Sequence, residues 1–506
     1  MIRELTLFFV AAAWLAPSFA ETPAPLAEVV VTASLRSTNV KDLPASVTIL
    51  SGDDVTKGAV QHLEELLPQV PSLSWAGASS RPRYFQLRGI GELEQYQGAP
   101  NPSVGFLVDD IDFSGIGMIA SLFDVEQVEV LRGPQGTRYG ANALGGLIKV
   151  KTRDPSATPD MHAEIGAGED GLWMAGIAAG GALDPDRVGG ATWRAVLHRA
   201  VSDGFRHNSF LGRDDTNGRD ELSARLKLRF ESENDWRADF SLLYADFDNG
   251  YDAFSIDNSF TTLSDRPGRD SQKSLGASLD LDYSGWSGLL VRSITAWADS
   301  DIEASFDADW GNEASWGAAG PYDFFSGTLR DRRTLSQDFR LMSASGRRWS
   351  WLAGAWISRL EESNDIADDG LYLDDAFVRL LDSRYRATST AVYGEIQWPW
   401  TSATQLTAGL RLEERDAHYD DSDGSQFDPT DRMWGGQLSL THQIGEGQSL
   451  WASLSRGFKA GGFNIGTSVP EDRQQFTPEY VWNVEIGWRG SGADGRQSAD
   501  ANLFYT

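Results

Sequence analysis

The 506 residues carry 73 acidic against 44 basic side chains, a formal charge of −29 that leaves no basic face for nucleic acid. Cysteine is absent, so neither disulfides nor a thiolate-ligated metal hold the fold. Mean hydropathy is −0.34 although 18 Trp, 24 Phe and 13 Tyr are present. That combination suits a β-barrel with a lipid-facing band, aromatic girdles and a polar lumen, and it also suits a secreted β-rich protein acting on glycans.

Arg3 precedes an apolar run, Leu5–Leu15, and Ser18 and Ala20 form an A-x-A-like cleavage site before Glu21. Residues 1–20 read as a secretory signal peptide, the run being too short for a membrane anchor. No later stretch offers about 18 uninterrupted apolar residues, so the exported chain is either soluble or inserted as a β-barrel.

From Glu28 to about Pro155 the pattern is that of a small α+β domain. Val29–Val31 and Val47–Leu50 read as short strands. Asp53–Leu67 reads as one helix, with Ser51 or Asp53 as its cap and Leu63, Leu66 and Leu67 at helical spacing. Phe85–Leu87 and Val104–Val108 are strands between loops rich in Gly, Pro and Asn. Val128–Thr152, VEVLRGPQGTRYGANALGGLIKVKT, begins and ends as strand and packs five glycines between, at 133, 136, 140, 145 and 146, together with Pro134. Such density suits a backbone forced through tight turns and close contacts. Neither G-x-x-x-x-G-K-[ST] nor a helix-opening G-x-G-x-x-G is present, so a phosphate loop is not supported.

After about Asp160 the chain alternates with period two. Leu222–Phe230 and Leu275–Tyr283 are the clearest runs, and Leu335–Leu341, Leu406–Leu412 and Leu438–Leu440 repeat the pattern. Several runs pass ten residues, the length of a tilted membrane crossing. Short turns at Asn234-Asp235, Ser284-Gly285, Ser345-Gly346 and Glu446-Gly447 alternate with long polar loops at Asp246–Ser271, Ala304–Asp331, Glu361–Asp382 and Gly466–Gln475. Short turns inside and long loops outside are the outer-membrane pattern. The count is about fifteen strands.

Val128–Thr152 closely resembles the plug-domain signature of TonB-dependent outer-membrane receptors. Glu28-Val29-Val30-Val31-Thr32-Ala33 resembles the TonB box, the family's docking peptide for an energy-transducing periplasmic protein; an apolar, β-branched segment can add as an edge strand to a partner sheet. The alternative is that it is only the first plug strand. Ser455–Asn464 resembles a barrel motif of iron-complex receptors in the family. The resemblance covers residues 28–506 and, after the signal peptide read over 1–20, implies a TonB-box segment over 21–35, an N-terminal α+β plug over 36–155 and a transmembrane antiparallel β-barrel over 160–506. Barrels of the family have 22 strands. About seven are lacking here, so the chain is expected to be C-terminally truncated and its barrel not to close; the alternative is a naturally smaller barrel.

The resemblance further implies a transporter of the Gram-negative cell outer membrane, not an enzyme, with no cofactor. It would take up a ferric siderophore or similar iron chelate when TonB pulls on the plug, with vitamin B12 or a carbohydrate as alternative cargo and a secreted glycan-active protein as the rival class. In the family, arginines of Arg-Gly steps pair with glutamates of plug and wall. The matching residues are Arg88 and Arg132, with Glu129 beside Arg132 and Glu485 on the wall. They form either a latch or a static pair. Arg81, Arg83, Tyr84, Tyr96 and Gln97 lie in loops expected to face outward, where Arg and aromatic rings suit an anionic or catecholate-like chelate; the alternative is ordinary solvated loop residues. The six histidines form no zinc pattern, and Asp420–Gly424 reads as a solvated loop rather than a calcium site.

Overall fold

The computed structural model describes residues 30–33, 35–36, 38–58, 60–76, 79–93, 98–184, 190–344, 349–373, 375–445, 447–465, 469–492 and 497–506. The expected signal peptide and the first two docking residues, Glu28 and Val29, lie outside them, as do Tyr96 and Gln97.

The N-terminal part is built on a five-stranded sheet. In chain order its elements are β1 (Val30–Val31), β2 (Thr38–Asn39), β3 (Val47–Ser51), α1 (Gly52–Lys57), β4 (Leu73–Ala76), β5 (Tyr84–Leu87), β6 (Val104–Val108), β7 (Ile111–Asp112), β8 (Val125–Arg132), α2 (Gly136–Tyr139) and β9 (Gly146–Thr152). The sheet order is β3-β8-β9-β6-β7, with β6 parallel to β9 and the other pairs antiparallel. The glycine-rich signature thus supplies the two central strands. Because both faces of β8 and β9 are covered, their side chains are buried almost without alternation, and Val128, Val130, Ile148 and Val150 pack with Phe106, Leu63 and Leu66 in one core.

Two glycines make that geometry possible. Gly133 has φ +83°, and a Cβ there would lie 3.1 Å from Arg88 Nη1. At Gly146, φ +153°, a Cβ would lie 2.4 Å from the carbonyl oxygen of Leu131, which as main chain cannot move aside.

The single helix expected over Asp53–Leu67 is two elements. Ser51 caps α1 through a capping box with Asp54, but α1 stops at Gly58, and Leu63–Gln69 is a separate 3-10 segment with Pro68 inside it. His62 forms a bridge to Ser121 between them. Burial of Leu63, Leu66 and Leu67 in the plug core outweighs continuation of the helix.

Residues 160–506 form a 16-stranded antiparallel sheet. Fifteen strands follow one another from Asp160–Ala167 to Ser498–Tyr505, and a short one, Gln426–Phe427, pairs off that path. The two end strands do not pair with each other, so the sheet is open, as the strand count leads one to expect. It curls round the N-terminal domain, which touches it from Arg194 through to Arg489.

Several strands outrun the expected loops. Ser350–Tyr372 and Asp375–Pro399 form one hairpin whose last pair is Tyr372 with Asp375, so Glu361–Asp382 is not a loop. The 246–271 and 304–331 loops also shrink, since strands run to Tyr251 and Asp307 and resume at Gly268 and Tyr322. Over Glu361–Gly370 most positions on both faces are polar, and the period-two signal fades while the ladder continues.

Outward positions are apolar: Leu197, Leu228, Leu275, Leu335, Leu410 and Leu454 are all exposed. Trp236, Tyr283, Trp286, Trp349, Trp398 and Trp400 cluster at the short-turn end, with Trp236 and Tyr283 rings 4.6 Å apart and Trp349 and Trp398 rings 5.7 Å apart. This is a lipid band with an interfacial aromatic girdle.

Candidate functional site: the contacts between plug and wall

The described part of the docking peptide is not a free strand. β1 pairs with β2, and Val31 and Ala33 are fully buried beside Leu43, Val47, Leu131 and Leu147. The Glu129 carboxylate accepts the Thr32 amide at 2.9 and 3.1 Å, the Thr32 hydroxyl at 2.6 Å and the Ala33 amide at 2.8 Å. Gln127 Nε2 donates to Val30 O at 2.8 Å, and the Tyr139 hydroxyl donates to Ala33 O at 2.9 Å.

This overturns the expected association of Glu129 with Arg132. Three residues apart on one strand, they face opposite sides of the sheet. Arg132 donates instead to Ser46 Oγ at 2.8 Å and Thr48 Oγ1 at 2.7 Å.

Arg88 and Glu485 do meet. Arg88 Nη2 and Nη1 donate to the two Glu485 oxygens at 2.7 and 3.2 Å, with both side chains buried, and the guanidinium lies 3.7 Å from the Phe504 ring centroid. Asn502 Nδ2 adds a bond to Glu485 at 2.8 Å.

Arg81 and Arg83 do not line an outward-open cavity. Arg81 forks onto Glu221 at 2.7 and 2.8 Å and also reaches Glu64 at 3.0 Å. Arg83 is ion-paired to Asp270, and Tyr84 is buried. Burial opposes the charge of Arg81, but Glu221 and then Glu64 more than offset it and raise its pKa. Both arginines are therefore occupied in fastening the outer end of the plug to the wall.

Further fastenings lie at both ends of the plug. At the short-turn end Arg489 donates to the carbonyls of Val40, Leu43 and Ala45, and Arg36 to Ser343 O at 3.0 Å and Trp351 O at 2.6 Å. At the long-loop end the Ser455–Asn464 motif folds over the plug. Lys459 Nζ reaches Glu92 at 2.9 Å, Asn101 Nδ2 donates to Gly461 O at 2.6 Å, and Phe463 closes an aromatic cluster with Tyr385, Tyr419 and Phe427. Sequence reasoning missed the Arg489 and Arg36 contacts because they rest on backbone carbonyls, which any residue supplies.

A cavity of about 900 Å³ lies between plug and wall, bordered by Thr32, Asp110, Lys149, Arg292, Arg340 and Arg411 among others. Burial would lower the Lys149 ammonium, but Asp110 foremost pushes it up to about 12; burial likewise opposes Asp110, and Lys149 holds it below the usual carboxylate range. The site is a mixed field of paired charges that can be opened and rehydrated without covalent chemistry. Among the described residues no group of three His, Asp or Glu side chains could hold a metal ion.

Two family models match the chain: "TonB-dependent Receptor Plug Domain" over residues 39–147 and "TonB dependent receptor-like, beta-barrel" over 173–506. The pesticin receptor of Yersinia pestis is 25% identical over 508 residues, covering 94% of this chain and 70% of the relative. The vitamin B12 transporter BtuB of Vibrio vulnificus (strain CMCP6) is 23% identical over 480 residues, covering 92% and 68%. Among solved structures, the ferric yersiniabactin uptake receptor FyuA from Yersinia pestis superposes with a TM-score of 0.78 at 23% identity, covering 91% of this chain and 72% of that one. The siderophore receptor PiuA from Acinetobacter baumannii gives 0.73 at 16% identity, covering 92% and 73%.

Proposed function

This chain belongs to the TonB-dependent receptors, outer-membrane proteins of Gram-negative bacteria, and from that premise we propose that it takes up a ferric siderophore or a similar iron chelate. The observation that carries the mechanism is the plug itself, seated inside the sheet and fastened at every level, from Arg489 and Arg36 through Arg88–Glu485 to Arg81–Glu221. Cargo passes only if that domain moves. Residues 28–33 serve as the docking peptide for TonB. Their described part lies at the short-turn, periplasmic end, with Arg36 close by on the wall. Arg88 and Glu485 act as a latch that holds the plug and yields under load, since buried ion pairs convert to hydrated charges at little net cost once water enters.

The chelate reading draws on two of the similar proteins, the ferric yersiniabactin uptake receptor FyuA and the siderophore receptor PiuA. The B12 transporter match supports cobalamin as the second reading. Binding of a labelled ferric chelate, competed by unlabelled chelate but not by cobalamin, separates the two.

Replacing Val30 by Pro removes a backbone donor and breaks strand addition. Ligand binding at the cell surface is expected to persist while uptake is lost. Uptake at the normal rate in that variant would remove the docking role from residues 28–33.

A further inference from the structure

The plug signature contains two polar residues that ligand recognition and the latch leave without a task, Glu129 and Tyr139. Glu129 is fully buried. A buried carboxylate needs hydrogen-bond donors or a cation. Lys149 is its cross-strand neighbour, but the Lys149 ammonium is directed to Asp110 at 3.5 Å. The donors to Glu129 are the Thr32 amide and hydroxyl, the Ala33 amide, and Gln127 Nε2 at 2.6 Å. Three of these four belong to residues 30–33. If that segment leaves, Glu129 loses most of what compensates its charge. The two are therefore linked, and each holds the other in place. Tyr139 closes the arrangement from the far side of Ala33. α2 carries Tyr139, and the turn at Gly133 brings α2 back to the sheet.

We propose that Glu129 and Tyr139 form a clasp that keeps residues 30–33 folded against the plug and so sets how often the segment is offered to a periplasmic partner. Both are positioning residues, acting through the peptide backbone. The proposal rests on the docking reading of residues 28–33, and the experiment below separates the two.

The protein has no cysteine, so Val31→Cys introduces a unique thiol at a fully buried position. Its rate of modification by a charged thiol reagent reports opening of the segment in the purified receptor. Ala143→Cys, also fully buried in the plug, reports general loosening. Glu129→Gln places an amide against the Thr32 and Ala33 amides, and Tyr139→Phe removes one hydroxyl from an otherwise intact fold. Glu129→Gln is expected to speed modification at position 31 by about tenfold or more, the factor for losing one charge-assisted hydrogen bond. Tyr139→Phe is expected to speed it by less, and the rate at position 143 is expected to hold in both. Unchanged rates at position 31 in both variants overturn the clasp, as does a parallel rise at position 143.

The same variants are then mixed with the purified periplasmic domain of TonB, without cargo. Tighter binding to Glu129→Gln than to the parent supports the clasp as a control on access. Faster modification at position 31 with no gain in binding keeps the clasp and instead defeats the docking reading.

Discussion

Replacing Glu485 by leucine is expected to loosen the plug more than any other single change in the latch. The substitution leaves the Arg88 guanidinium buried with only Asn483 Oδ1, at 3.5 Å, and the face of Phe504. Arg88 Nε already lacks a hydrogen-bond partner. Stranding a buried charge costs about 3–5 kcal/mol. The reverse change, Arg88→Met, is milder, because Glu485 keeps Asn502 at 2.8 Å and Asn483 at 3.4 Å; its cost belongs at or below the lower end of that range, about 3 kcal/mol. The double variant removes both charges and is expected to cost less than the sum of the two by about 1–3 kcal/mol. The assay is urea-dependent thiol exposure of Ala143→Cys in the plug, read for parent, singles and double. Costs that simply add, or an Arg88→Met variant weaker than Glu485→Leu, would refute the account of the pair as mutually compensating.

Burial, and after it Arg81, lowers the His62 imidazole from 6.5 to about 3, so the folded plug holds this ring neutral, bonded to Met118 O at 2.8 Å. Its contribution is fully present above about pH 6.5 and is lost as pH falls toward 3, by at most about 1.4 kcal/mol per unit; the plug's urea midpoint should fall less between pH 7 and pH 5 in His62→Gln than in the parent, and equal falls would contradict this. Gly146→Ala should abolish a stably seated plug, since φ +153° costs a non-glycine residue about 1–3 kcal/mol before the clash with Leu131 O is counted; a normal urea midpoint would show the β8–β9 packing to be looser than described. Phe463→Ala removes a ring stacked on Phe427 with centroids 4.7 Å apart and should cost about 3–5 kcal/mol locally. Limited proteolysis within residues 460–478 should then quicken, and an unchanged cleavage rate would mean that the aromatic cluster does not hold that segment.

What could be read in the sequence was set by how local each cause is. The alternation of Leu222–Phe230 reports a sheet face in contact with lipid, and the glycines at 133 and 146 report close backbone approach; both are properties of neighbouring residues. Strand length was not legible at Glu361–Asp382, where partners such as Asp368 and Arg379 pair across a hairpin with no lipid to impose apolar residues. The charged fastenings were not legible either, since Arg81 and Glu221 are 140 residues apart and Arg83 and Asp270 are 187 apart. Their arginines were visible as unusual loop residues, but a guanidinium exposed to cargo and one tied to the wall look the same in sequence. Strand parity alone was enough to separate Glu129 from Arg132; what it could not reveal is that Glu129 faces Thr32 and Ala33.

The order of these contacts along the chain sets the order in which a pull from the N-terminus loads them. The Glu129 and Tyr139 bonds to residues 32 and 33 come first. Next are the bonds of Arg36 to the wall carbonyls of Ser343 and Trp351, and those of the wall's Arg489 to the carbonyls of residues 40, 43 and 45. After them comes β3, an edge strand paired only with β8, from Val47 opposite Leu131 to Ser51 opposite Gln127. An edge strand can leave while β8, β9 and β6 stay paired, because its removal breaks one ladder and no central one. The first three barriers are thus hydrogen bonds and one short ladder, which water can replace as they open. The apolar core behind β8 and β9 and the latch at Arg88 lie later in the chain. A plug built in this sequence yields stepwise from the periplasmic end, with the Arg81 and Arg83 fastenings loaded before the latch at Arg88, and Asn101 and the β8–β9 core after it.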